Sequence, residues 1–175
     1  IGTTWWAQYD GANKFFDYWA GCVDGQFNSS APAMAQTDGR LESLKAMESI
    51  YSKSTGFVHQ NNAVFYTTEG FKSGQEVFAG KGYNGIDMRM VAYYPCGNWY
   101  ENEMGSLLDD QEVRMMKVPV ISSIVNTFAD ETDKQMSDET LASIIAKIDA
   151  GTPYSSEYGC AEATYNKVKE ARNIV

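Results

Sequence analysis

The sequence predicts an α+β fold: a mainly helical single domain over residues 1–175, with a small antiparallel sheet at about residues 57–94 flanked by N- and C-terminal helices. Three observations predict this class. Apolar residues recur at helical spacing near the N-terminus, alternate with a period of two before residue 95, and return to helical spacing afterwards. A chain of 175 residues that is 43% hydrophobic is also long enough to bury one core.

Residues 3–20 are predicted to form the first helix. Its apolar positions advance in steps of three and four, at Trp5, Tyr9, Ala12, Phe16 and Trp19. Gly21 is its predicted end, whereas Gly11 weakens it by about 1 kcal/mol relative to Ala. Trp6 and Phe15 place aromatic rings on a second face. One face is expected to be core, and the other either core or a docking or ligand surface.

A loop over residues 24–37, rich in Gly, Ser and Asn, is predicted to lead into the second helix at about residues 39–52. Asp38 is placed to cap that helix. The apolar residues expected to face inward are Leu41, Leu44, Met47, Ile50 and Tyr51.

The pattern then changes to one that is typical of strands. Residues 56–70, "GFVHQNNAVFYTTEG", carry β-branched and aromatic residues on both sides of Asn61-Asn62, which predicts a hairpin. A glycine-rich connection follows. Residues 86–94 alternate apolar and polar side chains, which predicts a third strand with one buried face.

Helical patterns return after Cys96. A helix is predicted to begin at Pro119 and another after Ser137, which caps it, and Gly151 ends the second. A last helix is predicted from Ser155 or Ser156 to the C-terminus. The expected core residues are Ile121, Ile124, Val125 and Phe128 on one helix and Leu141, Ile144, Ile145 and Ile148 on the next.

Charge and hydropathy exclude several classes of function. The net charge of -9, with 14 basic residues among 23 acidic ones, argues against a nucleic-acid partner. No run of about 18 apolar residues is present, so no membrane span is predicted. The chain begins with Ile1, which fits a processed or trimmed protein, although a cloning boundary would look identical. Together with the acidic composition and the surplus of aromatic residues, this start leads us to predict an extracytoplasmic location, in a secreted, periplasmic or organelle-lumenal compartment.

The three cysteines and the single histidine argue against a metal site and against a catalytic site. Widely spaced cysteines and one His make a metal site improbable, and no cofactor is predicted. Cys96 and Cys160 are the pair predicted to form a disulfide, with reduced buried thiols as the alternative. His59 has no nucleophile motif beside it, so no catalytic residue is predicted.

Aromatic residues are the remaining signal. Trp and Tyr combine a flat apolar ring with one polar atom, which suits stacking on ligands or on partner proteins. The segment "YYPCGNWY", residues 93–100, follows a predicted strand and is a reasonable pocket rim, with structural packing as the alternative. The residues predicted to bind a ligand are Trp6, Arg89, Tyr93, Tyr94, Trp99 and Tyr100.

These observations favour a non-enzymatic domain that binds a small molecule or docks on a protein partner through an aromatic-rich surface. Two alternatives stay open. One is a carboxylate-based hydrolase acting on a glycan, for which Glu101 with Glu103 is one of several carboxylate pairs. The other is an accessory structural subunit of a multiprotein complex. Helices that lead into a small antiparallel sheet are also similar to the extracytoplasmic sensor domains of the Cache and PAS kind over about half of the chain, although the helical second half departs from them.

Overall fold

A computed structural model describes residues 1–27, 36–52, 75, 78, 93–94, 97, 99–105 and 112–174. These residues are mainly helical and include a two-stranded antiparallel sheet, so the predicted α+β class is confirmed. The position predicted for the sheet, residues 57–94, lies outside the described residues except at four places. Gln75 and Phe78 are helical there, and Tyr93 and Tyr94 have irregular backbone.

Two compact units make up the chain. The larger unit combines Ile1–Glu48 with Lys117–Val175, and the smaller unit is Ser49–Met116. The prediction of one domain stays a prediction.

The larger unit contains most of the described elements. Its helices and strands are α1 (Gly2–Asp10), α2 (Ala12–Ala20), β1 (Cys22–Val23), β2 (Gln26–Phe27), α3 (Asp38–Tyr51, which runs on into the smaller unit), α5 (Asp138–Asp149) and α6 (Glu162–Arg172). Short 3₁₀ helices span Ser122–Thr127, Asp133–Gln135 and Ser156–Tyr158. The smaller unit contributes α4 (Tyr100–Met104).

The first predicted helix is two helices, because the chain breaks at Gly11. This residue has φ 89° and ψ 152°, a left-handed φ that side chains rarely adopt. The helical repeat is interrupted at Gly11, so apolar residues of α1 and apolar residues of α2 do not lie on one common helix face. The predicted end at Gly21 is confirmed: its φ of 68° is a left-handed cap.

Helix α1 lies at the centre of the larger unit. It packs against α2, α6 and the 3₁₀ helix Ser122–Thr127. Two side chains tie it to the extended segment before that 3₁₀ helix. Trp5 Nε1 donates to the Pro119 carbonyl at 2.9 Å, and Gln8 Oε1 accepts from the Ile121 N–H at 3.1 Å. Both bonds cross more than 110 residues of sequence and join α1 to the C-terminal segment of the same compact unit.

Helix α3 turns inward only part of the predicted face: Met47, which lies against Gly2 of α1, and Ile50 are half-buried. Its buried residues are Gly39 and Ser43, whereas Leu41, Leu44 and Tyr51 are exposed. At Gly39 the neighbour is the side chain of Asp10, the last residue of α1: a Cβ on Gly39 would lie 2.5 Å from Asp10 Cγ. Asp38 is the first helical residue and not the cap.

The C-terminal part confirms the predicted core better than the predicted helix ends. Ile121, Ile124 and Phe128 are buried, although the backbone forms a 3₁₀ helix from Ser122 rather than a helix from Pro119. Ser137 caps α5, as predicted, by accepting a bond from the Thr140 N–H at 3.3 Å. The last helix begins at Glu162 and not near residue 155.

Candidate functional site

Two of the predicted ligand-binding residues, Tyr94 and Tyr100, lie together in the smaller unit. Their ring centroids are 5.8 Å apart, and each lies 5.7 Å from the ring of Phe78. Tyr100 is buried and donates its hydroxyl hydrogen to the Gln75 carbonyl at 3.2 Å. These contacts form a packed ring cluster, so Tyr100 does not present its ring to solvent.

Tyr93 and Trp99 lie on the surface of the same unit. Both are exposed, and the Trp99 ring lies against Gly97, where an added Cβ would fall 1.8 Å from Trp99 Cζ3. Gly97 is therefore required for the Trp99 ring to lie on the backbone. Arg89 lies outside the described residues. Ligand binding by the smaller unit's residues stays a prediction.

Trp6, the remaining predicted site residue, belongs to the larger unit and is buried at 6% exposure. Its indole N–H donates to Asp10 Oδ2 at 2.7 Å and to Thr37 Oγ1 at 3.0 Å. The Arg40 guanidinium lies 5.6 Å from its ring centroid. Trp6 is therefore a buried, hydrogen-bonded residue of the larger unit. Ligand binding by Trp6 stays a prediction.

Asp10 links α1 to the start of α3. Its Oδ1 accepts from the Gly39 N–H at 3.2 Å, and its Oδ2 accepts from both Trp6 Nε1 and the Thr37 hydroxyl. Thr37 Oγ1 in turn accepts from the Arg40 N–H at 3.4 Å, in the position of a helix N-cap. The α3 N-terminus is thus capped by a carboxylate from another helix, a contact that sequence spacing cannot reveal.

Rings extend outward from Trp6 along α2. Trp6 contacts Phe15 edge-on at 5.3 Å and Tyr18 at 4.8 Å. Phe15 then contacts Phe16 at 6.0 Å and Trp19 at 6.1 Å. The rings at the outer end are exposed, Phe16 by 66% and Trp19 by 63%. The exposed rings of Phe16 and Trp19 therefore pack against the half-buried ring of Phe15, which in turn packs against the buried Trp6.

A short hairpin adds a third exposed ring. Strands β1 and β2 pair in antiparallel register around Asp24 (φ 49°) and Gly25 (φ 74°), the two positive φ values of a type I′ turn. Both carboxylate oxygens of Asp17 accept from the Gly25 N–H at 3.2 Å, which fixes the hairpin to α2. Phe27 is 84% exposed, and its ring lies 3.5 Å from the place where a Cβ on Gly21 would be.

We call the exposed rings Phe16, Trp19 and Phe27 the aromatic face. The sequence analysis did not predict that these three residues are exposed. It assigned Phe16 and Trp19 to the core side of one continuous helix and residues 24–37 to a loop. The Asp24-Gly25 pair between two short apolar segments is the signal that identifies the hairpin.

The predicted disulfide is not present, because Cys160 is a free thiol. Its partner in the prediction, Cys96, lies outside the described residues. Cys160 is buried at the start of α6, and burial, with a smaller contribution from the Asp133 carboxylate, raises the pKa of its thiol. Cys22 is also a free thiol.

The carboxylates with described partners have structural roles. Asp133 is buried, and its Oδ2 accepts from the Ala161 N–H at 2.9 Å and from the Thr164 hydroxyl, which caps α6. Asp149 binds the Arg172 guanidinium at 2.7 Å, and this hydrogen bond lowers the pKa of Asp149. Among the described residues, no group of three or more His, Cys, Asp or Glu side chains is arranged to hold a metal ion.

No described helix is both long enough and apolar enough to cross a bilayer. Comparison of the chain with protein-family models, curated proteins and solved structures finds no match.

Proposed function

We propose that this chain is a binding domain that docks on a protein partner through the aromatic face of its larger unit. The exposure of Phe16, Trp19 and Phe27 supports the proposal. Exposed apolar clusters of this kind mark interaction sites on folded proteins, and aromatic residues dominate the binding energy of protein interfaces.

The geometry favours a macromolecular partner over a small ligand at this face. Small-molecule sites are concave and bury 70–90% of their ligand, so the side chains that line them are enclosed. The three rings of the aromatic face stand 63–84% exposed on a helix and a hairpin. A complementary protein surface covers such rings more completely than a small molecule does.

Three of the described carboxylates are already engaged in the fold and do not support the hydrolase alternative. Glycoside hydrolysis needs two carboxyl groups that face each other across a cleft. Asp10 and Asp133 cap helices, and Asp149 holds Arg172, so these three acids already have partners that stabilise the fold. A docking role is compatible with the accessory-subunit alternative, because an accessory subunit also binds its complex through an exposed surface. We therefore retain that alternative as one form of the docking proposal.

Photo-crosslinking tests the proposal. A benzophenone amino acid placed at Trp19 is expected to form an adduct of defined mass in an extract of the source cells. The same group at Met115, which is also exposed but lies in the smaller unit, serves as the matched control. Equal labelling at both positions contradicts the proposal, and so does the absence of an adduct at position 19 both in the extract and with the purified chain at about 1 mM.

The extracytoplasmic or lumenal location is kept as a separate part of the proposal. The free thiols of Cys22 and Cys160 lend it no support, since oxidising compartments favour disulfides. Fractionation of the source cells, with detection of the native chain by mass spectrometry, tests it. Recovery only with cytoplasmic markers refutes the location without affecting the docking proposal.

A further inference from the structure

We infer that the partner covering the aromatic face is a second copy of this chain, which pairs in antiparallel fashion through α2 about a two-fold axis near Phe16. This inference rests on the proposed function and names its partner. Three properties of α2 carry it: the charge of the face, the order of large and small side chains along it, and its exposed area.

The side of α2 that carries Phe16 and Trp19 has no charged residue. At about 100° per residue, the positions beside these rings are Ala12, Asn13 and Ala20, whereas Lys14 and Asp17 point elsewhere. Asp17 is engaged with the hairpin. Each copy has a net charge of -9, so the electrostatic repulsion between two copies is smallest where they contact each other through an uncharged surface. A partner selected by its basic charge would need acidic residues on this side of the helix.

Large and small side chains are placed to complement themselves. In an antiparallel pair centred on Phe16, residue 16 faces its own copy. On one flank of the contact Trp19 lies nearest to Ala12 of the other copy, and on the other flank Ala20 lies nearest to Asn13. Each large indole therefore meets a short side chain, as a two-fold interface requires. Helix α2 has no acidic residue in its first turn and no basic residue in its last turn. Antiparallel pairing sets the positive end of each helix dipole beside the negative end of the other.

The exposed area fits a weak dimer. Aromatic side chains carry about 150–250 Å² each, so at 66%, 63% and 84% exposure the three rings offer roughly 400 Å² per copy. Two copies then bury roughly 800 Å² through the rings alone, below the roughly 1,200 Å² at which stable interfaces begin. We therefore expect a dissociation constant of roughly 10 μM to 1 mM.

Introducing a charge of either sign at the two-fold axis is the decisive test, because residue 16 of one copy meets residue 16 of the other in the proposed dimer. Phe16→Glu and Phe16→Lys should each shift sedimentation equilibrium to monomer. An equimolar mixture of the two at low salt should associate more strongly than either alone. Met115→Glu, in the smaller unit, should leave the wild-type association unchanged. Circular dichroism confirms that each variant is folded, and Trp19→Ser provides an independent disruption of the same face.

Several results overturn the inference. A wild-type chain that stays monomeric at about 1 mM excludes the dimer in the expected range. A dimer that survives Phe16→Glu and Trp19→Ser has its interface elsewhere. Association that weakens with added salt contradicts an uncharged contact between two like-charged copies, which salt should strengthen. A mixture that associates no better than its components excludes the two-fold geometry. If the crosslinker at position 19 captures another protein and never a second copy, the dimer is wrong while the docking function stands.

Discussion

Gly39→Ala tests whether the approach of α1 to α3 is as close as the structure indicates. Gly39 lies in the first turn of α3 with an ordinary helical backbone, where alanine usually stabilises a helix by about 0.5–1 kcal/mol. In this protein, a Cβ at position 39 would lie 2.5 Å from Asp10 Cγ and 2.6 Å from Oδ1. We therefore expect the substitution to destabilise the larger unit.

The magnitude follows from what Asp10 loses when it moves. Its carboxylate would give up the bonds from the Gly39 N–H, from Trp6 Nε1 and from the Thr37 hydroxyl. Loss of a helix cap costs about 0.5–2 kcal/mol, and a bond to a charged group contributes about 1.5–3 kcal/mol. Trp6 keeps its bond to Thr37 at 3.0 Å, which limits the loss. After the gain in helix propensity is subtracted, the expected net cost is about 1–3 kcal/mol.

Urea unfolding followed by far-ultraviolet circular dichroism measures this cost. Gly105→Ala is the propensity control, because nothing lies within 4 Å of its added Cβ, and it should be neutral or slightly stabilising. In the Asp10→Ala background, where the clash is absent, adding Gly39→Ala should be neutral or stabilising relative to Asp10→Ala alone. A Gly39→Ala protein at least as stable as wild type would refute the close approach.

Three further predictions concern buried or paired groups. Asp133→Ala should lower the free energy of unfolding by about 1–3 kcal/mol in thermal melts, because it uncaps α6. The pKa of Asp149 is lowered by Arg172, so this ion pair stabilises the fold at pH values above 3.8 and is lost as the pH falls further. The difference in unfolding free energy between wild type and Asp149→Asn should therefore be at most about 1 kcal/mol near pH 6 and should shrink as the pH falls below 3.8; a difference that grows in acid contradicts the pairing. Burial raises the pKa of the Cys160 thiol, so iodoacetamide at neutral pH should alkylate Cys22 before Cys160, as peptide mass spectrometry can show.

Local patterns predicted much of the helical framework. The periodicity after Ser137 identified α5 and its buried residues Leu141 and Ile144, because a capping hydroxyl and one apolar stripe act within a single helix. The end of α2 at Gly21 was predicted because a glycine readily adopts the left-handed conformation of a helix C-cap, which is also a local property. Where the deciding interaction is local, sequence alone is sufficient.

Contacts between distant segments account for the errors. The start of α6 depends on Asp133, which lies 28 residues before the N–H it binds. On α3, Gly39 lies against the side chain of Asp10, whereas Leu41 and Leu44 are exposed although they fall on the apolar side of the helical pattern. Hydrophobic periodicity records which side of a helix is apolar, but it carries no information about whether a neighbour covers that side.

The two tryptophans at positions 6 and 19 show how one backbone residue decides between core and surface. On a continuous helix, Trp19 would share the buried side of Trp5. The break at Gly11 changes the direction of the second half, so that Trp6 becomes the buried base of a ring cluster and Trp19 its exposed end. Asp10 holds Trp6 through its indole N–H, and Trp6 supports Phe15 and Tyr18 beneath the aromatic face. The acid that caps α3 therefore also sets the position of the rings that we propose to bind the partner, which links the stability of the larger unit to docking.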